Sequence, residues 1–88
     1  MKVKFRKTFE KDLRKAGDKI LFKKIKEVIE SVEQAESLDD ISNFKKLKGG
    51  DNYFRIRVGD YRIGLFLEED VVFFVRVMHR REFYRYFP

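Results

Sequence analysis

The 88 residues suffice for one small domain with a modest core, spanning residues 1–88, and a formal charge of +6 with a pI near 9.7 points to an acidic partner such as nucleic acid. The absence of cysteine and the single histidine exclude disulfides, thiolate catalysis and cysteine- or multi-histidine metal sites. No apolar run approaches the ~18 residues of a membrane span, and MKVKFRKTF has no signal-peptide core, so the expected location is the cytoplasm.

Lys2 to Phe5 alternates basic and apolar residues, which predicts a first strand with Val3 and Phe5 inward. Thr8 is placed to cap a helix carrying Phe9, Leu13 and Ala16, which Gly17 stops. Asp18 caps a second helix whose apolar stripe is Leu21, Ile25, Val28 and Val32, broadened by Ile29. The outer faces are lysine and glutamate, a solvated exterior. Ser37 to Asn43 is an acidic connection, and FKKLKGGDN leads onward with Leu47 tucked under a sheet and Gly49–Asn52 as a turn cluster.

Tyr53 to Phe66 predicts a β-hairpin. Phe54, Ile56 and Val58 share one parity and Tyr53, Arg55 and Arg57 the other, and Gly59-Asp60 fits a two-residue type II′ turn. Val58 then pairs with Tyr61, Arg57 with Arg62 and Ile56 with Ile63. Like charges directly opposite destabilise a hairpin, so the Arg57–Arg62 pair suggests an anion between them. Val71 to Met78 is the last strand. A three-residue turn at Glu68-Glu69-Asp70 sets Leu65 beside Phe73, Ile63 beside Val75 and Arg62 beside Arg76. This register predicts an apolar face including Phe73, Val75 and Val77. Its opposite is a row Arg57–Arg62–Arg76 beside a platform of Tyr53, Phe66, Val72 and Phe74, with Gly64 leaving a hollow.

Every lysine lies at or before Lys48, and every later cation in the Lys/Arg set is arginine. Arginine grips phosphate through a planar fork that lysine lacks. An arginine row flanked by aromatics suits RNA, with guanidinium groups on phosphates and rings stacked on unpaired bases. Cleavage of RNA by its own 2′-OH needs that hydroxyl deprotonated, the phosphorane charge stabilised and the leaving 5′-oxygen protonated. Arginines serve the second need; His79 or a tyrosine is the candidate for the first or third. No carboxylate lies on the predicted basic rows, which argues against a metal-dependent nuclease. The plainer readings are an arginine row for a protein partner's carboxylates, a surface His79, and Tyr84 and Tyr86 as packing residues.

The order strand, two helices, three antiparallel strands and a short C-terminal segment resembles the RelE/ParE superfamily of toxins from toxin–antitoxin pairs. FKKLKGGDNYFRIRVGDYRIGLF is similar to that family's central motif, and VRVMHRREFYRYF to its final strand and tail. The resemblance implies a β-α-α-β-β-β fold of the α+β class, an antiparallel sheet packed on two helices with a short C-terminal helical segment. It also implies a RelE-type toxin that cuts ribosome-bound mRNA without metal or small-molecule cofactor and is neutralised by a cognate antitoxin. Arg55, Arg57, Arg62, His79 and Arg80 then fall on the family's catalytic positions. Tyr86 and Tyr84 fit alternative spacings of its functional tyrosine. Lys46, Lys48, Tyr53, Arg76 and Arg81 are the accompanying RNA contacts. Arginine stays protonated, so the base is another group, with His79 the candidate. The alternatives are a ParE-like gyrase poison without nuclease activity and an inactive RNA- or partner-binding member.

Overall fold

The computed structural model describes residues 1–50 and 52–88. Strand β1 (Lys2–Phe5) leads into helices α1 (Lys7–Ala16) and α2 (Lys19–Gln34). A short 3₁₀ turn at Leu38–Asp40 precedes β2 (Phe44–Lys46), β3 (Tyr53–Val58), β4 (Tyr61–Glu68), β5 (Val71–His79) and helix α3 (Arg80–Tyr86). The five strands form one sheet in the order β1-β5-β4-β3-β2. It is a mixed sheet rather than a purely antiparallel one, because β1 runs parallel to β5. Strand β2 was not expected; three residues are too few to show alternation. The Phe44 ring stacks on Phe54 at 4.7 Å and fixes that strand to β3.

The helix layer forms as the apolar spacing requires. Asp18 Oδ1 accepts from the N–H groups of Ile20 and Leu21 at 2.9 and 3.1 Å, capping α2. Leu21, Ile25 and Val32 of α2 are buried against Phe54, Ile56, Ile63 and Leu65. Each such side chain contributes about 1.5–3 kcal/mol on leaving water. Gly17 ends α1 in the left-handed conformation. The cap position of α1 is Arg6 rather than Thr8. Thr8 lies inside the helix, and its hydroxyl donates to the Val75 carbonyl at 2.6 Å.

That bond belongs to a wider pattern. Beyond the β1 pairing, the edge of β5 is covered by α1. Arg6 N–H donates to the Phe74 carbonyl at 3.0 Å, and Val77 N–H donates to Asp12 Oδ2 at 3.0 Å. An otherwise open sheet edge is thereby satisfied by one helix.

The first hairpin has the expected register, including Arg57 opposite Arg62. Gly59 takes φ +58° and is the only positive-φ member of its two-residue turn, the type II′ arrangement. The second hairpin differs from expectation. Its turn is two residues, Glu69 and Asp70, both at positive φ (47° and 66°), and Glu68 pairs with Val71. A bulge then follows: Leu65 pairs with Phe74 but Gly64 with Arg76, leaving Val75 as the extra residue. The bulge reconciles a two-residue turn with an apolar Val77 opposite Ile63. It also moves Arg76 from beside Arg62 to beside Gly64, and Met78 takes its place. Val72 and Phe74 consequently belong to the helix-side core, at 2% and 0% exposure, not to the outer platform.

Candidate functional site

On the sheet face away from α2, the cross-strand partners Arg57–Arg62–Met78 make one row and Lys45–Arg55–Gly64–Arg76 the next. The expected row Arg57–Arg62–Arg76 is therefore broken at its third member. Arg76 is drawn aside by α1: its Nε donates to Asp12 Oδ2 at 2.7 Å and its Nη2 to Asp12 Oδ1 at 3.3 Å. The contiguous cations of the outer face are Arg57, Arg62, Arg55 and Lys45.

Their geometry is set by the backbone around them. Arg62 Nη1 donates to the Gly59 and Tyr61 carbonyls, each at 2.9 Å, which orients the fork and leaves Nε and Nη2 for a ligand. Arg55 Nη1 donates to the Asn43 carbonyl at 2.9 Å, and its Nε is buried with no hydrogen-bond partner among the described residues. Arg57 is exposed. Among the described residues, ion pairs form only at Arg76–Asp12 and at Arg80–Asp60, the latter a long, exposed pair at 4.0 Å. The guanidinium groups of Arg57 and Arg62 are directly opposed and have no ion-pair partner among the described residues, an arrangement with the chemistry to hold an anion.

The junction of β5 and α3 is tied to the same hairpin turn. Arg80 N–H donates to the Asp60 carbonyl at 2.7 Å, which places Arg80 beside the end of the arginine row. His79 is the cap residue of α3, its Nδ1 accepting from Arg81 N–H at 3.2 Å. A backbone N–H can only donate, so a neutral His79 carries its proton on Nε2 and presents a donor, not a base. Its ring meets Tyr61 edge to face at 5.6 Å, and Tyr61 packs on the helix-side core. His79 thus leans to the opposite side of the sheet from Arg57 and Arg62.

Helix α3 folds back over the outer face. Phe83 and Phe87, 0% and 5% exposed, pack with Met78, Leu47, Tyr53 and Val75. Tyr84 and Tyr86 are exposed on α3 at 57% and 56%. By helical spacing, Tyr84 shares a flank with Arg80, and Tyr86 shares one with Glu82. Lys46, Lys48 and Arg81 are exposed. The Gly49–Asn52 turn cluster, expected from sequence, includes Asp51, which lies outside the described residues. No group of three or more His, Asp or Glu with metal-binding geometry occurs among the described residues, and none of their helices is long and apolar enough to cross a membrane.

Sequence reasoning missed Asp12, Met78 and Phe87. Asp12 sits in an ordinary charged helix with no local sign of its partner 64 residues away. Met78 and Phe87 offered an apolar signal, but the bulge and the fold-back of α3 decide where they go.

The fold and its cationic face define a class: small basic α+β proteins of RelE-like fold, with a sheet on two helices. The family described as ParE toxin of type II toxin-antitoxin systems (parDE) matches residues 3–84. The chain belongs to this family, within the RelE/ParE superfamily of toxins. It is 49% identical over 89 residues to Toxin RelE3 of Methanocaldococcus jannaschii, covering 100% of both chains. A chain of the RelB–RelE antitoxin–toxin complex from Methanococcus jannaschii superposes with a TM-score of 0.80 at 46% identity, over 96% of this chain and 98% of that one. The RelBE2 toxin–antitoxin complex of Mycobacterium tuberculosis gives 0.61 at 26% identity, over 90% and 96%.

Proposed function

We propose that this toxin is a ribosome-dependent, metal-independent mRNA endoribonuclease that inhibits translation and is neutralised by a cognate antitoxin. The observation that carries the reading is the Arg57–Arg62 pair, directly opposed and uncompensated by any described carboxylate. In the reaction, the ribose 2′-OH gives up its proton as its oxygen attacks the adjacent phosphorus, and the P–O5′ bond breaks as O5′ takes up a proton. The products are a 2′,3′-cyclic phosphate and a 5′-hydroxyl. Arg57 and the free edge of the Arg62 fork hold the non-bridging oxygens and stabilise the phosphorane. Arg55 and Lys45 extend the anion path along β2 and β3, with Lys46, Lys48 and Arg81 as peripheral phosphate contacts. Arg80 stands at the end of the row, and Tyr84 or Tyr86 offers a ring for stacking or a phenol for proton transfer. His79, which caps α3 through Nδ1 and leans to the other side of the sheet, fixes the β5–α3 junction and the position of Arg80 rather than touching the phosphate. Identity of 49% to a relative named RelE3 supports this branch of the superfamily.

The match to the ParE family description favours a second reading, a gyrase poison without nuclease activity. One experiment separates them: express the chain alone, map mRNA 5′ ends, and assay trapped gyrase–DNA breaks in the same cells. Cuts within codons of translated mRNA support the nuclease. Gyrase–DNA breaks with intact mRNA support the poison.

A further inference from the structure

The outer face of α2 carries its charge in an order that works against the helix. From Lys19 to Lys26 the ionisable residues are all lysine: Lys19, Lys23, Lys24 and Lys26. From Glu27 to Gln34 they are all glutamate: Glu27, Glu30 and Glu33. The first turn has no acidic residue and the last turn no basic one. A helix macrodipole favours the reverse, anions near the N-terminus and cations near the C-terminus. Lys23–Glu27 and Lys26–Glu30 stand at i, i+4 with lysine first, the weaker of the two orders, and Lys19 repels Lys23 at the same spacing. None of these residues forms an ion pair among the described residues. The same residues in the opposite order would be as well solvated and more stable, so solvation alone does not account for the arrangement.

The strip is open along the whole helix. Leu21, Ile25 and Val32 turn towards the sheet, while Lys19, Lys23, Lys26, Glu27 and Glu30 lie exposed on the other side, with Ile20 beside them at 70% exposure. A polyanion would be attracted by the lysine half and repelled by the glutamate half; a polycation would meet the converse. A second α2 laid antiparallel satisfies both halves. A two-fold axis between positions 26 and 27 sets Lys26 beside the partner's Glu27 and Lys23 beside the partner's Glu30, and symmetry makes each pair twice. The same pairing brings each lysine cluster to the carboxyl end of the other helix, where a cation is favoured. The order that destabilises one helix alone is the order that two antiparallel copies relieve.

We propose that the outer face of α2 is a self-recognition surface through which two copies of this chain pair antiparallel, about a two-fold axis between Lys26 and Glu27. Ile20 adds apolar area at each end of the strip. The surface lies on the helix layer, away from Arg57 and Arg62, so pairing leaves both copies of the arginine face open and does not depend on the nuclease reading.

Sedimentation equilibrium of the purified chain over a concentration series tests the proposal, with K23E, E30K and K23E/E30K as variants. All three change exposed positions only, and circular dichroism checks that each is folded. The wild-type chain is expected to form dimers. K23E sets carboxylates against carboxylates and E30K sets ammonium groups against ammonium groups, so each is expected to weaken self-association roughly tenfold or more. K23E/E30K restores opposite charges across the axis and is expected to dimerise within about threefold of wild type. An equimolar mixture of K23E and E30K is expected to form a mixed dimer, because each then faces the complementary strip. A wild-type chain that stays monomeric up to about 1 mM would overturn the proposal. So would single variants that dimerise like wild type, which would place the contact on another face. A double variant and a mixture no stronger than the single variants would also overturn it, by showing that the two halves do not face each other.

Discussion

Phe87 lies across Gly64: a Cβ built on that glycine would stand 2.9 Å from three carbons of the ring. Glycine in the middle of β4 weakens a strand, and here it makes room for the tail that folds over the outer face. Gly64→Ala should therefore loosen α3 and cost about 1–3 kcal/mol, the usual range for overpacking. Urea melts give the stability change, and faster amide exchange in 80–87 would locate it. An unchanged melt with a protected α3 would show that the ring relocates freely.

Asp12 serves the Arg76 guanidinium and the Val77 N–H together. Its removal leaves a partly buried cation with only the Met78 sulfur as partner and the Val77 N–H with none. Asp12→Ala should destabilise by about 2–3 kcal/mol. Asp12→Asn should recover part of that, because its amide oxygen still accepts from Val77. Equilibrium unfolding of the two variants checks the ordering.

His79 has a structural duty that is separable from any chemical one. His79→Ala removes the cap of α3 and should cost about 1 kcal/mol. His79→Asn supplies a good capping oxygen and should melt close to wild type. Activity in the asparagine variant then reports on the imidazole alone. Full mRNA cleavage by His79→Asn would confine the histidine to capping.

The Glu69-Asp70 turn holds two non-glycine residues in the left-handed region. Asp70→Gly should relieve that strain and stabilise the chain by roughly 0.5–1 kcal/mol, readable as a rise in Tm with no change in cleavage.

The first hairpin was legible because its information is local: strict alternation and Gly59-Asp60 set the register without reference to anything distant. Capping by Asp18 and the stop at Gly17 were legible for the same reason. The second hairpin was not. A three-residue turn without a bulge and a two-residue turn with one both bring apolar side chains to the helices, and only the second fits Phe74 beneath Phe9 at 5.5 Å. Arg76 was accordingly assigned to the arginine row, although its Asp12 partner lies on another element. The hollow at Gly64 was visible in the sequence; that Phe87 fills it was not, since the connection depends on how α3 leaves β5. Of the candidate site, Arg57 opposite Arg62 came directly from spacing, whereas the side of the sheet on which His79 stands followed only from its pairing with Tyr61.

The central claim is that opposed guanidinium groups at Arg57 and Arg62 stabilise a phosphorane. Arg57 is exposed and has no described ion-pair partner, so Arg57→Ala should leave stability unchanged or slightly raised by relief of the like-charge pair. Arg62→Ala should cost about 1 kcal/mol through its lost bonds to the turn carbonyls. Each should lower the rate of cleavage of ribosome-bound mRNA by roughly 10²–10³, and Arg62→Lys should rescue only in part. The decisive measurement is the single-turnover cleavage rate of Arg57→Ala on programmed ribosomes, alongside its thermal melt. A normal melt with a rate at least roughly a hundredfold down is the predicted result. A normal melt with a near wild-type rate would contradict it.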